Sequence, residues 1–192
     1  DVDNLGLGYA SENEVAIMFC DIRGFTGFSE RITPQELMNF LNSYFTRMND
    51  PIHQNSGFID KFMGDGIMAL FGAPLAYEDS AVRAAYAALD MQNAVRSAPN
   101  AESAIRVGLH AGEVLVRAVN TDLSVDYDAI GATVHLAARM EQMASPGSIY
   151  CTANVVRLAE GLIKVHPLGP LPVKGFREPL QLFEIVGHTS AR

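Results

Sequence analysis

Two aspartates, Asp21 and Asp65, have the positions that paired metal ligands need. Asp21 follows the apolar run Val15 to Cys20, which predicts a buried strand, and Asp65 lies between the apolar segments 57–62 and 66–71, whose spacing predicts a hairpin. If this hairpin pairs with the first strand, both carboxylates reach one edge of the sheet. Mg²⁺ binds few protein oxygens and takes other ligands from substrate phosphates, so such a pair is typical of a nucleotide triphosphate site. The alternative is that each aspartate is only a turn residue at the end of its strand.

The other predicted elements form an α+β domain around these two residues. The segment Thr33 to Glu36 has the sequence of a capping box, and the apolar spacing after it predicts a helix of about four turns, broken or kinked at Pro51. Further helices are predicted over residues 79–95, 132–143 and 153–158, and further strands over 104–110, 114–119, 148–151 and 182–186. The element order predicts a ferredoxin-like, mainly antiparallel sheet with helices packed on one face.

Four prolines are concentrated near the end of the chain. They are Pro167, Pro170, Pro172 and Pro179, in a segment that also contains Lys174. Proline removes a backbone donor and fixes φ, so this segment is predicted to be an extended surface loop.

Composition restricts the class of function. The 192 residues carry 14 Lys+Arg against 22 Asp+Glu, a formal net charge of −8, and 48% of them are hydrophobic. This composition is typical of one compact domain, and its acidic balance argues against a nucleic-acid partner. No apolar run approaches the roughly 18–20 residues of a membrane helix, and the N-terminus lacks the pattern of a signal peptide. Cys20 and Cys151 lack metal-ligand spacing and are expected to be buried and reduced, so we expect a cytoplasmic protein.

Four sequence motifs, in this order, carry a resemblance to a known family: FCDIRGFTGFSE, IDKFMGDGIMALFGAP, VGLHAGEV and DYDAIGATVHLAARME. From about residue 14 to 186 the chain resembles the catalytic domain of the class III nucleotide cyclases, the adenylate and guanylate cyclase family, and it is most like the bacterial adenylate cyclases. The resemblance implies a single catalytic domain over residues 1–192 that is part of a longer protein.

The resemblance also implies a metal and phosphate site. Asp21, Asp65 and the backbone carbonyl of Ile22 match the ligands of two Mg²⁺ or Mn²⁺ ions per site. Phe25 and Thr26 match positions where backbone N–H groups at a helix start meet the triphosphate.

Base recognition and transition-state stabilisation are implied for four further residues. Lys61 and Asp128 match the pair that contacts the base. They suit adenine, because an ammonium donates to ring N1 and a carboxylate accepts from the exocyclic amine, whereas guanine would mismatch both contacts. Arg139 matches the arginine that stabilises charge on the α-phosphate, and Lys174 matches the lysine that binds the terminal phosphates.

His135 is a departure from the family pattern, which usually has Asn four residues before the arginine that Arg139 matches. Residues at i and i+4 share a helix face, so His135 is still expected to point into the site. Imidazole can donate a hydrogen bond as the amide does, but it is bulkier and titrates near neutrality, which bears on the catalytic rate. His110, by contrast, is expected to be a packed, hydrogen-bonded strand residue rather than a base.

The resemblance implies an adenylate cyclase that converts ATP to 3′,5′-cyclic AMP and pyrophosphate by in-line attack of the ribose 3′-oxygen on the α-phosphorus. It further implies a head-to-tail homodimer with two shared sites, in which one chain supplies the metal ligands and the other the base-recognition residues and the transition-state arginine. Two alternatives stay open at this point. One is a guanylate or relaxed-specificity cyclase, and the other is a catalytically weak nucleotide-binding or dimerisation module, which only His135 favours.

Overall fold

The fold is built around one mixed sheet, seen in a computed structural model that describes residues 10–23, 30–98, 104–119, 122–125 and 131–189. The strands of this part of the chain are β1 (Ala10–Ile22), β2 (Phe58–Met63), β3 (Gly66–Phe71), β4 (Ile105–Val119), β5 (Asp122–Val125), β6 (Ile149–Thr152), β7 (Ile163–Leu171) and β8 (Leu180–His188). The helices are α1 (Pro34–Gln54), α2 (Ser80–Arg96), α3 (Gly131–Met143) and α4 (Ala153–Leu158). The strand order is β2, β3, β1, β4, β6, β8, β7, and β5 pairs with β4 outside this path.

The α+β prediction and the mainly antiparallel sheet are confirmed, but the prediction of helices on one face is wrong. Among the described strand pairs, only β4 with β6 is parallel. The even-numbered residues of β1 from 16 to 22 pack into a core with α1, α2 and α4. Its odd-numbered residues from 15 to 19 pack with Ala137 of α3 on the other face. Because β1 is covered on both faces from Val15 to Cys20, this part of its sequence is a continuous apolar run without polar alternation.

The β4 strand is longer than its sequence indicates. Two strands were expected over residues 104–110 and 114–119, but a single strand runs from Ile105 to Val119. The reason is its partner: β1 begins at Ala10 and pairs with β4 from Ala10 opposite Arg117 to Ile22 opposite Ile105. The segment around Gly112 is therefore bonded to a neighbouring strand and has no need to turn.

Helix α1 begins as predicted and continues past its internal proline. The Thr33 hydroxyl accepts a hydrogen bond from the Glu36 backbone N–H at 3.2 Å, which confirms Thr33 as the N-cap of the helix. The predicted break at Pro51 is wrong, because α1 runs to Gln54. Met48 and Ile52 are fully buried beside Pro51, and this packing stabilises the last turn despite the missing proline donor.

The first part of the proline-rich segment is a strand, which corrects the loop prediction there. Pro167 and Pro170 lie within β7, and Pro172 and Pro179 lie in the connection to β8. Among the described strands, β7 pairs only with β8, so its outer edge needs no backbone donors. Edge strands tolerate proline for this reason.

Candidate active site

Asp21 and Asp65 lie where the hairpin of β2 and β3 meets the end of β1. Asp21 is opposite Gly66 in the register of β1 and β3, and the Ile22 backbone N–H donates to the Asp65 carbonyl at 3.1 Å. A Cβ on Gly66 would lie 2.7 Å from the Cys20 carbonyl oxygen, so only glycine permits this close approach of the two strands. The two predicted metal-ligand residues are thus neighbours across a strand pair.

The Asp21 side chain is held by an arginine that the sequence prediction missed. Arg106 of β4, directly opposite Asp21 in the strand register, donates from Nε to Oδ1 at 3.0 Å and from Nη2 to Oδ2 at 2.6 Å. The same Nη2 donates to Glu141 Oε1 of α3 at 3.0 Å, and Nη1 donates to the Gln142 carbonyl at 3.1 Å. One guanidinium therefore connects β1, β4 and α3.

The pKa values of the two carboxyl groups in this cluster are shifted in opposite directions. Burial alone would raise the pKa of Asp21, but the hydrogen bonds and charge of Arg106, with a hydrogen bond from Glu141, lower it below its ordinary value. Burial, together with the hydrogen bond to Asp21 and the charge of Asp21, raises the pKa of Glu141. Asp21 is therefore the ionised carboxylate of the pair, which is the form that binds a cation.

The donor set fits a magnesium or manganese ion that also binds substrate. Within the described ranges, no group of three or more His, Cys, Asp or Glu side chains could hold an ion by itself. Asp21 and Asp65 each have a side-chain carboxyl group, and Ile22 follows Asp21 and donates its backbone N–H to the Asp65 carbonyl. Mg²⁺ keeps several waters or phosphate oxygens among its six ligands, so two carboxylates are the protein contribution it commonly uses.

Helix α3 carries two of the predicted catalytic residues. The Arg139 side chain donates from Nη1 to Gln142 Oε1 one turn later, and its Nε is buried with no hydrogen-bond partner among the described residues. His135 is exposed, and a Cβ built on Gly175 would lie 3.3 Å from its Nε2. The structure thus brings His135 against the turn that carries Lys174.

The remaining predicted site residues are exposed or lie outside the described part of the chain. Lys61 is exposed on β2, directly after a register shift between Ile59 and Lys61 that makes this strand irregular. Lys174 is also exposed, in the connection between β7 and β8. Predictions for Phe25, Thr26 and Asp128 concern residues that the structure does not describe.

Arg106 and Glu141 were detectable from sequence by a signal that was not used. Arg106 is a lone cation between apolar residues of a predicted strand, and a charge in a buried strand requires a partner. Glu141 lies two residues after Arg139 in a helix whose other face is apolar. The partner of each could be identified only from the strand register.

The histidine and cysteine predictions outside this cluster are confirmed. His110 is buried with its Nδ1 2.7 Å from the Thr152 hydroxyl, and burial lowers the pKa of its imidazole to about 4. Cys20 and Cys151 are buried free thiols.

A cavity of about 630 Å³ between α1 and α2 includes none of the predicted site residues. No described helix combines the length and apolar character needed to cross a bilayer.

The mixed sheet and its helices have the fold of nucleotide cyclase catalytic domains, as comparison with known proteins shows. The chain belongs to the adenylate and guanylate cyclase catalytic domain family, whose sequence profile matches residues 8–187.

Two bacterial relatives illustrate the sequence similarity. Adenylate cyclase 1 of Rhizobium meliloti is 33% identical over 187 residues, covering 93% of this chain and 28% of that protein. The adenylate cyclase of Anabaena cylindrica is 37% identical over 166 residues, covering 81% of this chain and 33% of that protein. The chain therefore spans about a third of the length of these relatives.

Solved structures from both branches of the family have a similar fold. The adenylyl cyclase CyaB from P. aeruginosa matches with a TM-score of 0.82 and 28% identity, covering 95% of this chain and 98% of that one. The guanylate cyclase domain of RhGC from Catenaria anguillulae, in complex with GTP, matches with a TM-score of 0.81 and 26% identity, covering 93% and 100%. Fold similarity alone therefore does not show whether ATP or GTP is the substrate.

Proposed function

We propose that this chain is an adenylate cyclase domain that converts ATP to 3′,5′-cyclic AMP and pyrophosphate with two divalent cations per site. The observation that carries the proposal is the juxtaposition of Asp21 and Asp65 through the Ile22 to Asp65 backbone hydrogen bond of 3.1 Å, in a chain of the cyclase family. The choice of adenine is supported by Lys61 and by the bacterial relatives, which are adenylate cyclases.

The reaction is a displacement at phosphorus, and the protein contributes positioning and charge. The ribose 3′-oxygen bonds to the α-phosphorus, the 3′-hydroxyl proton is released, and the bond to the β-phosphate oxygen breaks to release pyrophosphate. Bound cations would supply acidification of the 3′-hydroxyl and neutralisation of phosphate charge. Asp21, Asp65 and the Ile22 carbonyl would hold them.

Arg139 and Lys174 would stabilise the phosphate charge at two positions. The buried Nε of Arg139 lacks a partner among the described residues, and an oxygen of the α-phosphate would satisfy it. Lys174 is an exposed cation that would reach the terminal phosphates as a point charge. His135 lies beside the Lys174 turn, where it would position this turn and donate a hydrogen bond to the nucleotide.

The site is proposed to be completed by a second copy of the chain in a head-to-tail homodimer. Lys61, His135 and Lys174 are exposed on the described chain, which supports a nucleotide site that is open until a partner covers it. One chain would supply Asp21 and Asp65, and its partner would supply base recognition and Arg139. A two-fold axis then generates two identical sites.

A guanylate or relaxed-specificity activity is the second candidate. The similarity to a guanylate cyclase domain bound to GTP, with a TM-score of 0.81, favours keeping it under test. Lys61 and Asp128 argue for adenine, since the ring N–H and carbonyl of guanine would oppose a donor and an acceptor of the same kind.

The test is product formation by the purified chain with Mn²⁺ and either ATP or GTP, measured by chromatography. We expect cyclic AMP from ATP, and a preference for GTP would establish the second candidate instead. Asp65→Ala is the matched variant, because a hairpin carboxylate contributes little packing and the fold should persist. We expect its rate to fall far below a tenth of the wild-type rate. A smaller loss, under about 1.4 kcal/mol of transition-state stabilisation, would remove Asp65 from the mechanism.

A further inference from the structure

Glu141 is the third member of the cluster with Asp21 and Arg106, and the proposed reaction gives it no role. Its side chain is buried where α3 packs against β4. A Cβ built on Gly108 would lie 2.6 Å from Glu141 Cα, so the helix backbone is seated directly on the strand at this point. Glu141 therefore has a fixed position relative to the neighbouring Arg106.

Arg106 occupies both carboxylate oxygens of Asp21. Its Nε lies 3.0 Å from Oδ1 and its Nη2 lies 2.6 Å from Oδ2. A cation bound to Asp21 would share these oxygens with a guanidinium of like charge, so cation binding weakens the contact between Arg106 and Asp21. For a largely buried guanidinium, loss of its carboxylate partner is strongly unfavourable.

The geometry provides a second carboxyl oxygen for an exchange of partners. Nη2 of Arg106 already donates to Glu141 Oε1 at 3.0 Å, and Nη1 is anchored on the Gln142 carbonyl at 3.1 Å. We propose that Glu141 is a positioning residue for the metal site, which retains Arg106 on α3 when Asp21 turns from the guanidinium to the cation. This inference rests on the proposed metal role of Asp21.

The inference predicts a specific effect of removing the Glu141 side-chain acceptor. In Glu141→Ala the Nη2 of Arg106 loses the Oε1 acceptor that it has on α3 and keeps its contact with Asp21 Oδ2. Arg106 should then remain on Asp21 and compete with the cation. The affinity for Mn²⁺ should fall, while kcat at saturating Mn²⁺ should stay close to the wild-type value, because Glu141 touches no reacting atom.

The experiment titrates the purified chain with Mn²⁺ alone and follows free Mn²⁺ by electron paramagnetic resonance. We expect Glu141→Ala to raise the dissociation constant for Mn²⁺ about five- to tenfold, with kcat within twofold of wild type. Glu113→Ala is the matched control, since it removes an exposed carboxyl group farther along β4, and it should bind Mn²⁺ as the wild type does.

Asp21→Ala distinguishes failure of the Glu141 role from failure of the proposed metal site. If Asp21→Ala loses Mn²⁺ binding and Glu141→Ala keeps wild-type affinity, the role of Glu141 is overturned and the metal site stands. If Asp21→Ala also keeps wild-type affinity, the metal role of Asp21 fails and the inference fails with it.

A crystal structure of the wild-type chain with Mn²⁺ and a non-cyclisable ATP analogue tests the exchange without any variant. We expect Asp21 on the metal, with Arg106 still paired to Glu141. A structure in which Arg106 retains both Asp21 oxygens beside bound Mn²⁺, or leaves Glu141 altogether, would overturn the inference.

Discussion

Lys61 is the residue on which the choice of base most depends, because the adenine assignment needs a cation at this position. It is exposed on β2, next to the irregular register of the β2 and β3 pair. Irregular strand positions are common beside functional sites, where they redirect a side chain. Its position is therefore compatible with contact to a nucleotide held by another chain.

Replacing this contact should change the ratio of the two substrates. We expect Lys61→Glu combined with Asp128→Ser to lower the ATP/GTP ratio of kcat/KM at least tenfold, about 1.4 kcal/mol, even where both rates fall. Steady-state kinetics with each nucleotide measures the ratio. Lys164→Glu makes the same charge change on an exposed lysine of β7 and should leave the ratio unchanged. An unchanged ratio in the double variant would mean that these residues do not select the base.

His110 makes stability depend on pH in a predictable direction. Burial lowers the pKa of this imidazole to about 4, against an ordinary value of 6.5, so the unfolded chain binds the proton more tightly than the folded chain. Stability is fully present above pH 6.5 and declines as the pH falls toward 4. Between pH 7 and 4.5 this group should remove about 2–3 kcal/mol of the free energy of unfolding.

Urea unfolding at several pH values measures this contribution by comparison with His110→Asn. The amide can still bond the Thr152 hydroxyl, but it does not titrate. The free-energy difference between the two proteins should shrink as the pH is lowered, while the carboxylates contribute equally to both. A difference that stays constant from pH 7 to 4.5 would show that His110 is not held neutral in the folded chain.

Sequence predicted the two aspartates of the proposed metal site better than it predicted the contacts between charged residues. Asp21 and Asp65 could be predicted because each follows or precedes a recognisable strand. The pairing of Arg106 with Glu141 could not, because this contact joins β4 and α3 across 35 residues of chain and depends on the exact strand register. Neighbours that are distant in sequence leave little local signal.

At the scale of elements, the contact between α3 and β4 holds the cluster together. Gly108 has no side chain where α3 crosses the strand, and a Cβ there would lie 2.6 Å from both Glu141 Cα and the Met140 carbonyl carbon. Helix backbone cannot rotate away as a flexible side chain can. The spacing between α3 and β4 therefore depends on this glycine.

Gly108→Ala should be costly for this reason. We expect a loss of about 3 kcal/mol, which lowers the melting temperature by roughly 6–12 °C in a chain of this size. Gly187→Ala is the control, because its Cβ would meet only Lys164 Cδ at an ordinary 3.9 Å. Thermal unfolding of the two variants gives the comparison. Equal melting temperatures would show that α3 is free to shift on the sheet.

Elements with strong local signals were predicted well, and those determined by their neighbours were not. Helix α4 and the hairpin of β2 and β3 follow from apolar spacing and turn residues. The full length of β4 depends on the partner residues of β1, and β7 is a strand despite Pro167 and Pro170 because it lies at a sheet edge. The position of a strand within its sheet is not encoded in its own residues.

For the whole molecule, the proposed homodimer divides each site between two chains. Asp21 and Arg139 would then act on the same nucleotide from different copies. Asp21→Ala should still fold, because Arg106 retains Glu141 and the Gln142 carbonyl as partners. Arg139→Ala removes a side chain whose Nε has no partner among the described residues, so it too should fold. Each variant alone should be inactive.

Mixing the two variants should restore activity. A mixed dimer has one site with both lesions and one site with neither, so random exchange gives about half mixed dimers and roughly a quarter of the wild-type activity by two-fold symmetry. Cyclic AMP formation measures the recovery, and mass spectrometry of differently tagged chains confirms that subunits exchange. If the chains exchange and no activity returns, each site is built within one chain, and the head-to-tail arrangement is wrong for this protein.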